Sequence, residues 1–183
     1  MIFASNNKGK LKEIRSILGA DIKSLNDAHV DIDVVEDGET FYDNALKKAK
    51  EIYSIVNEPV ISDDSGLMID YLNGFPGVMT ARFLGEDATP EDRNNYILDK
   101  LNGVTNRKCS VVCTLVYYDG EKTIRADGIL DGVISNSPRG ENGFGFDPIV
   151  ELDNGKTLAE LSSDEKNKLS ARYLAAMKLK SMI

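Results

Sequence analysis

The chain predicts an α/β protein, on three observations. Apolar runs of strand length stand at 1–4 and 59–61, and two longer ones cover 108–118 and 123–134. Apolar residues elsewhere repeat at helical spacing: Leu11, Ile14, Ile17 and Leu18 in one segment, and Phe41, Ala45, Leu46, Ala49, Ile52, Tyr53 and Val56 in another. A chain of 183 residues, 42% hydrophobic and 28% charged, suits a globular body of one domain or two closely packed lobes.

Taken in order, residues 1–4 read as a first strand, because the apolar run stops at once in polar residues. Ser5-Asn6-Asn7-Lys8-Gly9-Lys10 is the polar turn that follows, and the helical repeat from Leu11 ends near Gly19. A strand, a small polar turn and a helix N-terminus offer backbone N–H groups and the positive end of the helix dipole, which suits a phosphate as well as a simple cap. It is not a Walker A loop: Ala4 stands where the first glycine belongs, and Leu11 where Ser or Thr should follow the lysine. Residues 21–25 are a candidate second strand. Residues 32–35 lead into the acidic loop Glu36-Asp37-Gly38-Glu39, and Thr40 is a good N-cap for the next helix. Asn44 and Lys48 lie on an edge of that helix away from the apolar stripe, which predicts a solvated face.

The next strand carries the chemistry. Pro59-Val60-Ile61 runs into Ser62-Asp63-Asp64-Ser65-Gly66, and Leu67-Met68-Ile69 follows. Two carboxylates at the end of a buried strand are costly unless cations meet them. Asp-Asp-Ser-Gly also has good turn chemistry, so a plain turn is the competing reading. Residues 71–77 form a loop. Thr89-Pro90-Glu91-Asp92 starts a helix with Pro at its first position, and Tyr96, Ile97 and Leu101 give that helix its buried side. Asp119-Gly120 marks a hairpin between the two long strands.

Residues 137–148 are glycine-rich and hold Phe144 and Phe146. Glycine lets a ligand approach the backbone, and an exposed aromatic can stack on a base; the alternative is a wide turn whose rings pack inward. The third glycine of a Rossmann fingerprint is missing. Ser162 and Glu165 have capping-box spacing. Lys166 and Arg172 would diverge by about 120° on one straight helix. For both to reach one ligand a break is needed, with Ser170 capping a second helix.

A formal net charge of −8 argues against a nucleic-acid-binding surface. No apolar run is long enough to span a bilayer and no signal peptide is expected, so no membrane partner and a cytoplasmic location are expected. Cys109 and Cys113 have no histidine nearby to complete a zinc site, and read as buried free thiols in a reducing compartment. The single histidine, His29, sits in a polar loop and is expected to be exposed. A Ser-His-Asp triad or a multi-histidine metal site is excluded unless His29 takes part. Acid–base and metal chemistry therefore falls mainly to carboxylates.

Together these segments resemble the inosine triphosphate pyrophosphatase family, nearly end to end. Ser5-Asn6-Asn7-Lys8-Gly9-Lys10 is similar to the family's small-x-Asn-x-x-Lys phosphate loop. Glu36-Asp37-Gly38-Glu39-Thr40-Phe41, with Asn44-Ala45 and Lys48-Ala49, is similar to its acidic loop and helix. Ser62-Asp63-Asp64-Ser65-Gly66-Leu67 matches its central motif, and Phe75-Pro76-Gly77 with Ala81-Arg82-Phe83 the next block. Gly143-Phe144-Gly145-Phe146-Asp147-Pro148 matches its base-binding loop. Each motif alone is weak; the ordered series at fitting spacing is specific. One departure stands at Ser170-Ala171-Arg172, where the family reads Ser-His-Arg, and alanine removes a hydrogen-bonding group from the base site.

The resemblance implies an α/β fold on a long, twisted, mixed central sheet, with flanking helices in two lobes around a cleft. It implies one such domain over residues 1–183 and a homodimer. It implies hydrolysis of non-standard purine nucleoside triphosphates (inosine, deoxyinosine and xanthosine triphosphates) to the monophosphate and pyrophosphate, with Mg²⁺ as cofactor. By resemblance the metal falls to Glu36 and Asp64, with Asp63 in support. Asp64 is also the catalytic carboxylate, orienting or deprotonating a water that attacks the α-phosphorus. Ser5, Asn6, Asn7, Lys8, Gly9, Lys10, Lys48 and Ser65 are expected around the phosphates. Phe146 is expected to stack on the base, beside Phe144 and Gly145, with Asp147 at the base edge. Lys166, Ala171 and Arg172 are expected at the base or phosphates. Two rival readings are relaxed base choice through Ala171, reaching modified pyrimidine or standard nucleotides as in the related septum-formation-inhibitor family, and a nucleotide-binding protein without turnover. Retention of both Glu36 and Asp64 speaks against the latter.

Overall fold

The computed structural model describes residues 1–85 and 87–183. Its elements in chain order are β1 (Ile2–Phe3), α1 (Lys8–Leu18), α2 (Phe41–Val56), β2 (Val60–Ile69), α3 (Pro90–Lys100), β3 (Lys108–Tyr118), β4 (Thr123–Ile134), β5 (Val150–Glu151), α4 (Ser163–Lys166) and α5 (Ala171–Lys180). The strands form one sheet in the order β1-β2-β3-β4-β5. β1 runs parallel to β2, with Ile2 opposite Val60 and Phe3 opposite Ile61. β4 runs antiparallel to β5, with Val133 opposite Glu151 and Ile134 opposite Val150, so the sheet is mixed. The expected hairpin joins β3 to β4: the Asp119 carboxylate accepts from the N–H groups of Glu121 and Lys122, and Gly120 takes φ +100°.

The chain divides into two compact units. The first comprises Met1–Ser65, Cys113–Ile129 and Ser170–Ile183. Its core gathers Ile2, Ala45, Ala49, Ile52, Val60 and Val116. Fully burying an aliphatic side chain such as Ile52 contributes about 1.5–3 kcal/mol. Asn7 caps α1, whose chain leaves at Gly19 with φ +128°. Thr40 caps α2 as expected, accepting from the Asp43 N–H, and Asn57 ends that helix in the left-handed region. α5 packs on α1. It also approaches β4 so closely that a Cβ on Gly128 would stand 2.0 Å from the Ala171 carbonyl oxygen, so only glycine fits there.

The strand expected over 21–25 does not form. Lys23 makes a single parallel bridge to Ile2. The chain then turns, because Ser24 and Asp27 cap each other's backbone N–H groups at 2.8 and 3.0 Å. His29 lies in this turn, exposed as expected.

The second unit comprises Gly66–Val112 and Leu130–Leu169. Its core gathers Leu67, Ile69, Ile97, Leu101, Ile134 and Ile149. α3 begins in a capping box between Thr89 and Asp92 with Pro90 just inside, and α4 in one between Ser162 and Glu165. Tyr96 is only half-buried; its ring packs at 5.5 Å from Phe83, which meets Phe75 edge-on at 5.0 Å. Both cysteines are free and buried, as expected. Among the described residues no helix is long and apolar enough to cross a membrane.

Candidate active site

Ser62-Asp63-Asp64-Ser65 is neither a turn nor the end of a strand. β2 runs unbroken from Val60 to Ile69, so both acids sit in mid-strand, with Asp63 at 0% and Asp64 at 5% exposure. Alternation sends neighbouring side chains to opposite faces. Asp63 faces α1 and α5: its Oδ2 takes Lys10 Nζ at 3.0 Å and Arg172 Nη2 at 3.1 Å, and accepts from Ser65 Oγ at 3.0 Å. Asp64 faces α2, where its Oδ2 accepts from Asn44 Nδ2 at 2.9 Å. Ser62, on the same face, donates to the Ala45 carbonyl at 2.5 Å.

The two carboxyls are thereby driven apart. Burial alone would raise Asp63, but Lys10, Arg172 and Lys48 overcome it and hold this carboxyl well below the usual range. Asp64 is pushed up to about 6, first by burial and then by the charges of Glu36 and Asp63, against the Asn44 bond and Lys48. Arg172 completes its own charge balance on Glu13, 2.5 Å from Nη1, and its cation is strengthened despite burial.

Asn44 and Lys48 correct the expectation of a solvated face. Asn44 is 1% exposed and uses both ends of its amide, accepting from the Gly38 N–H at 2.7 Å while donating to Asp64. It thus ties the acidic loop to β2. Gly38 is required here, since a Cβ would fall 2.7 Å from the Asn44 oxygen. Lys48 is half-buried and hydrogen-bonds Glu36; the charges of Asp63, Glu36 and Asp64 outweigh burial and raise its pKa.

Glu36 and Asp64 meet the charge requirement for a divalent ion. Asp64 carries like charges around it that a cation would relieve. Among the described residues, no three Asp, Glu, His or Cys side chains assemble into a metal cluster. Two carboxylates without a cage suit an ion that keeps water and phosphate oxygens as its other ligands, as Mg²⁺ does.

The turn at Ser5–Lys10 forms the helix cap that was one of its two readings. The Asn7 carboxamide itself takes the Gly9 and Lys10 N–H groups, at 2.9 and 3.1 Å. Ser5 accepts from the Asn7 N–H at 3.2 Å, while Asn6 and Lys8 are exposed.

The second unit holds the glycine-rich loop. Asp147 Oδ2 accepts from the Phe144 N–H at 2.7 Å and pairs with Lys166 Nζ at 2.6 Å. Lys166 also stands 4.3 Å over the Phe144 ring. A Cβ on Gly143 would collide with the Asp147 carboxylate at 2.0 Å. Phe146, expected to stack on a base, is partly buried against the core, and Phe144 is the more exposed ring. The break expected before Arg172 is present: α4 ends at Lys166, and Ser170 caps α5 through the Tyr173 N–H. Arg172 is 6% exposed and engaged with Glu13 and Asp63 in the first unit, where buried Ala171 opens α5. Glu13 did not figure among the expected site residues. Its signal was its place on the buried face of α1, four residues before Ile17.

The Ham1 family model matches residues 1–182. The dITP/XTP pyrophosphatase of Bacillus subtilis (strain 168) is 43% identical over 189 residues, covering 100% of this chain and 96% of that protein. The enzyme of that name from Clostridium perfringens (strain 13 / Type A) is 44% identical, covering 98% and 94%. The solved structure of the Staphylococcus aureus Ham1 protein superposes with a TM-score of 0.90 at 35% identity, covering 99% of this chain and 96% of that one.

Proposed function

The chain belongs to the Ham1 family, and on that premise we propose that it is a nucleoside triphosphate pyrophosphatase. Its substrates are inosine, deoxyinosine and xanthosine triphosphates, cleaved to the monophosphate and pyrophosphate. The observation that carries this reading is the pair of buried mid-strand acids, with Lys10 and Arg172 at Asp63 and Asn44 at Asp64. The names of the relatives support the substrate class.

Asp64 orients a water and takes its proton as the water oxygen bonds to the α-phosphorus. The bond from that phosphorus to the bridging oxygen breaks, and pyrophosphate leaves with the electron pair. Without a bound cation this carboxyl is pushed up to about 6 and is still largely ionised at neutral pH, so it is available to a metal ion and to a water proton. Asn44 fixes the orientation of that carboxylate by its 2.9 Å bond. Lys10 and Lys48 supply positive charge for the phosphates, and placement with charge neutralisation carries most of the rate. Mg²⁺ held by Glu36 and Asp64 would offset the negative charge of the phosphate chain. In the second unit, Phe144 offers its ring face to a purine, and Lys166 with Asp147 offers polar groups for the ring edge.

The test is pyrophosphate release from inosine, deoxyinosine, xanthosine and guanosine triphosphates, with and without Mg²⁺. Asp64→Asn should lower the rate by about a hundredfold or more. A parental rate in that variant overturns the assignment of Asp64. A second reading concerns base choice, because Ala171 presents a buried methyl where the family motif has an imidazole. Ala171→His on the same substrate panel should move the rate ratio toward inosine triphosphate; an unchanged ratio sinks that reading. The protein is also read as a homodimer, and sedimentation at the mass of one 20.1 kDa chain would overturn this.

A further inference from the structure

We propose that Asn94 is a specificity-determining positioning residue, anchoring the loop that carries Phe144 so that base selection depends on it. The inference rests on the nucleotide reading above. α3 directs Ile97 and Leu101 into the core of the second unit, and both are fully buried. Asn94 lies on the same stripe, three residues before Ile97 and seven before Leu101, and is only 4% exposed. Packing alone would favour an apolar residue there. Instead, Asn94 Nδ2 donates to the Gly145 carbonyl at 3.1 Å. Its Oδ1 is buried without a hydrogen-bond partner among the described residues. An unmet buried acceptor is destabilising, so the amide is retained at a cost, and its bond to Gly145 is the compensating contact.

Gly145 sits between Phe144 and Phe146 with φ +63°, the left-handed turn that separates the exposed ring from the packed one. A Cβ built there would meet nothing within 4 Å, so glycine stands here for its left-handed turn and not for a close approach. The Asn94 bond ties this peptide to α3. From within the loop, Asp147 holds the Phe144 N–H and Lys166. The segment is pinned by its own carboxylate at one point and by α3 at another. A ring fixed before the ligand arrives spares binding the entropy of ordering it.

The experiment compares the parent with Asn94→Leu, Phe144→Ala and the double variant. Leucine keeps roughly the volume and removes the donor. By calorimetry, inosine monophosphate should bind Asn94→Leu about three- to tenfold more weakly, with pyrophosphate affinity within about twofold of the parent. KM for inosine triphosphate should rise by a like factor while kcat stays within about twofold. In the Phe144→Ala background the substitution should add less than about twofold, because the ring that the anchor orients is gone. A merely structural role would lower the active fraction and kcat on every substrate, leaving monophosphate affinity unmoved. If Asn94→Leu does not fold, Asn94→Ser, whose hydroxyl is too short to reach Gly145, supplies the same comparison. Parental monophosphate affinity and an unchanged inosine-to-guanosine rate ratio in a folded variant overturn the inference. A parent that releases no pyrophosphate from any of the triphosphates overturns the functional reading instead, and the parent control reports that separately.

Discussion

Replacing Arg172 with methionine tests whether the buried charges of the first unit hold it together. Arg172 is 6% exposed and reaches Glu13 at 2.5 Å, Asp63 at 3.1 Å and Ser65 Oγ at 3.3 Å. Methionine fills much of the volume but removes the cation. Asp63 would then keep Lys10 as its hydrogen-bonded cation, while Glu13, itself 7% exposed, would lose this guanidinium. Removing one member of a buried ion pair costs about 3–5 kcal/mol, a large share of the roughly 5–15 kcal/mol that stabilises a folded protein. For a chain of this size the melting temperature falls by about 2–4 °C per kcal/mol, so the variant should melt roughly 6–20 °C lower. The assay is thermal and urea unfolding of metal-free protein, followed by circular dichroism. Arg125→Met is the control: its pair with Asp127 is 53% and 37% exposed, and such pairs are worth about 0–1 kcal/mol. The double variant Glu13→Leu, Arg172→Met should recover part of the loss, since it also removes the buried carboxylate that the guanidinium compensated. If Arg172→Met melts no lower than Arg125→Met, the buried network is not what stabilises this unit.

Four further outcomes rest on the same geometry. Phe144→Ala should weaken inosine monophosphate binding by about 1–3 kcal/mol with little change in melting, whereas partly buried Phe146→Ala should cost about 1–3 kcal/mol of stability; calorimetry and urea unfolding separate them. Burial raises Cys109 to about 12 and Cys113 to about 11, so iodoacetamide at pH 8 should label neither until urea is added, as mass spectrometry will report. Since both folded pKa values lie above the ordinary 9, the stability these thiols contribute is fully present below pH 9 and is lost as pH rises toward 11–12, which alkaline unfolding curves will measure. Gly128→Ala places a Cβ 2.0 Å from the Ala171 carbonyl and 2.6 Å from the Ala175 nitrogen, and should destabilise by about 1–3 kcal/mol in urea unfolding.

Local chemistry was legible from the residues; what a given edge meets was not. Thr40, Thr89, Ser162 and Ser170 cap helices where their spacing said they would, because a cap is settled within three residues. The hairpin after β3 is equally local. By contrast, Ser62-Asp63-Asp64-Ser65 has the composition of a turn and forms a strand, because Asp63 finds its cations on α1 and α5, far away in sequence. Asn44 and Lys48 were placed on the right edge of α2, yet spacing carries no sign that this edge faces Asp64 and the acidic loop. Phe144 and Phe146 differ by two positions in one loop, and only the core behind the loop decides which ring is left outside. The stretch at 21–25 failed for the opposite reason: the Ser24 and Asp27 side chains captured the backbone before a sheet could.

The charges around Asp63 are hard to explain as stabilisation alone. Asp63, Arg172 and Glu13 are each under 10% exposed, and apolar residues of similar volume commonly stabilise a core as well or better than a buried ion set. Asp63 even keeps one oxygen, Oδ1, buried with no hydrogen-bond partner among the described residues. What the network does achieve is geometric. It holds the Lys10 ammonium at the first turn of α1, and it leaves Asp63 ionised beside Asp64, where that charge adds to burial in raising the neighbouring carboxyl. Two adjacent residues of one strand thus receive opposite pKa shifts because alternation gives them different neighbours: a fixed anion on one face, and on the other a carboxyl near 6 that can hold or release a proton. Separated environments for paired acids are how a site assigns one of them to charge and the other to proton transfer. On that argument, Arg172→Met should perturb Asp64 without touching it. With Asp63 still an anion on Lys10 and one compensating cation gone, the Asp64 carboxyl should move up from about 6, and carboxyl titration by NMR on metal-free protein should register the shift even in molecules that remain folded.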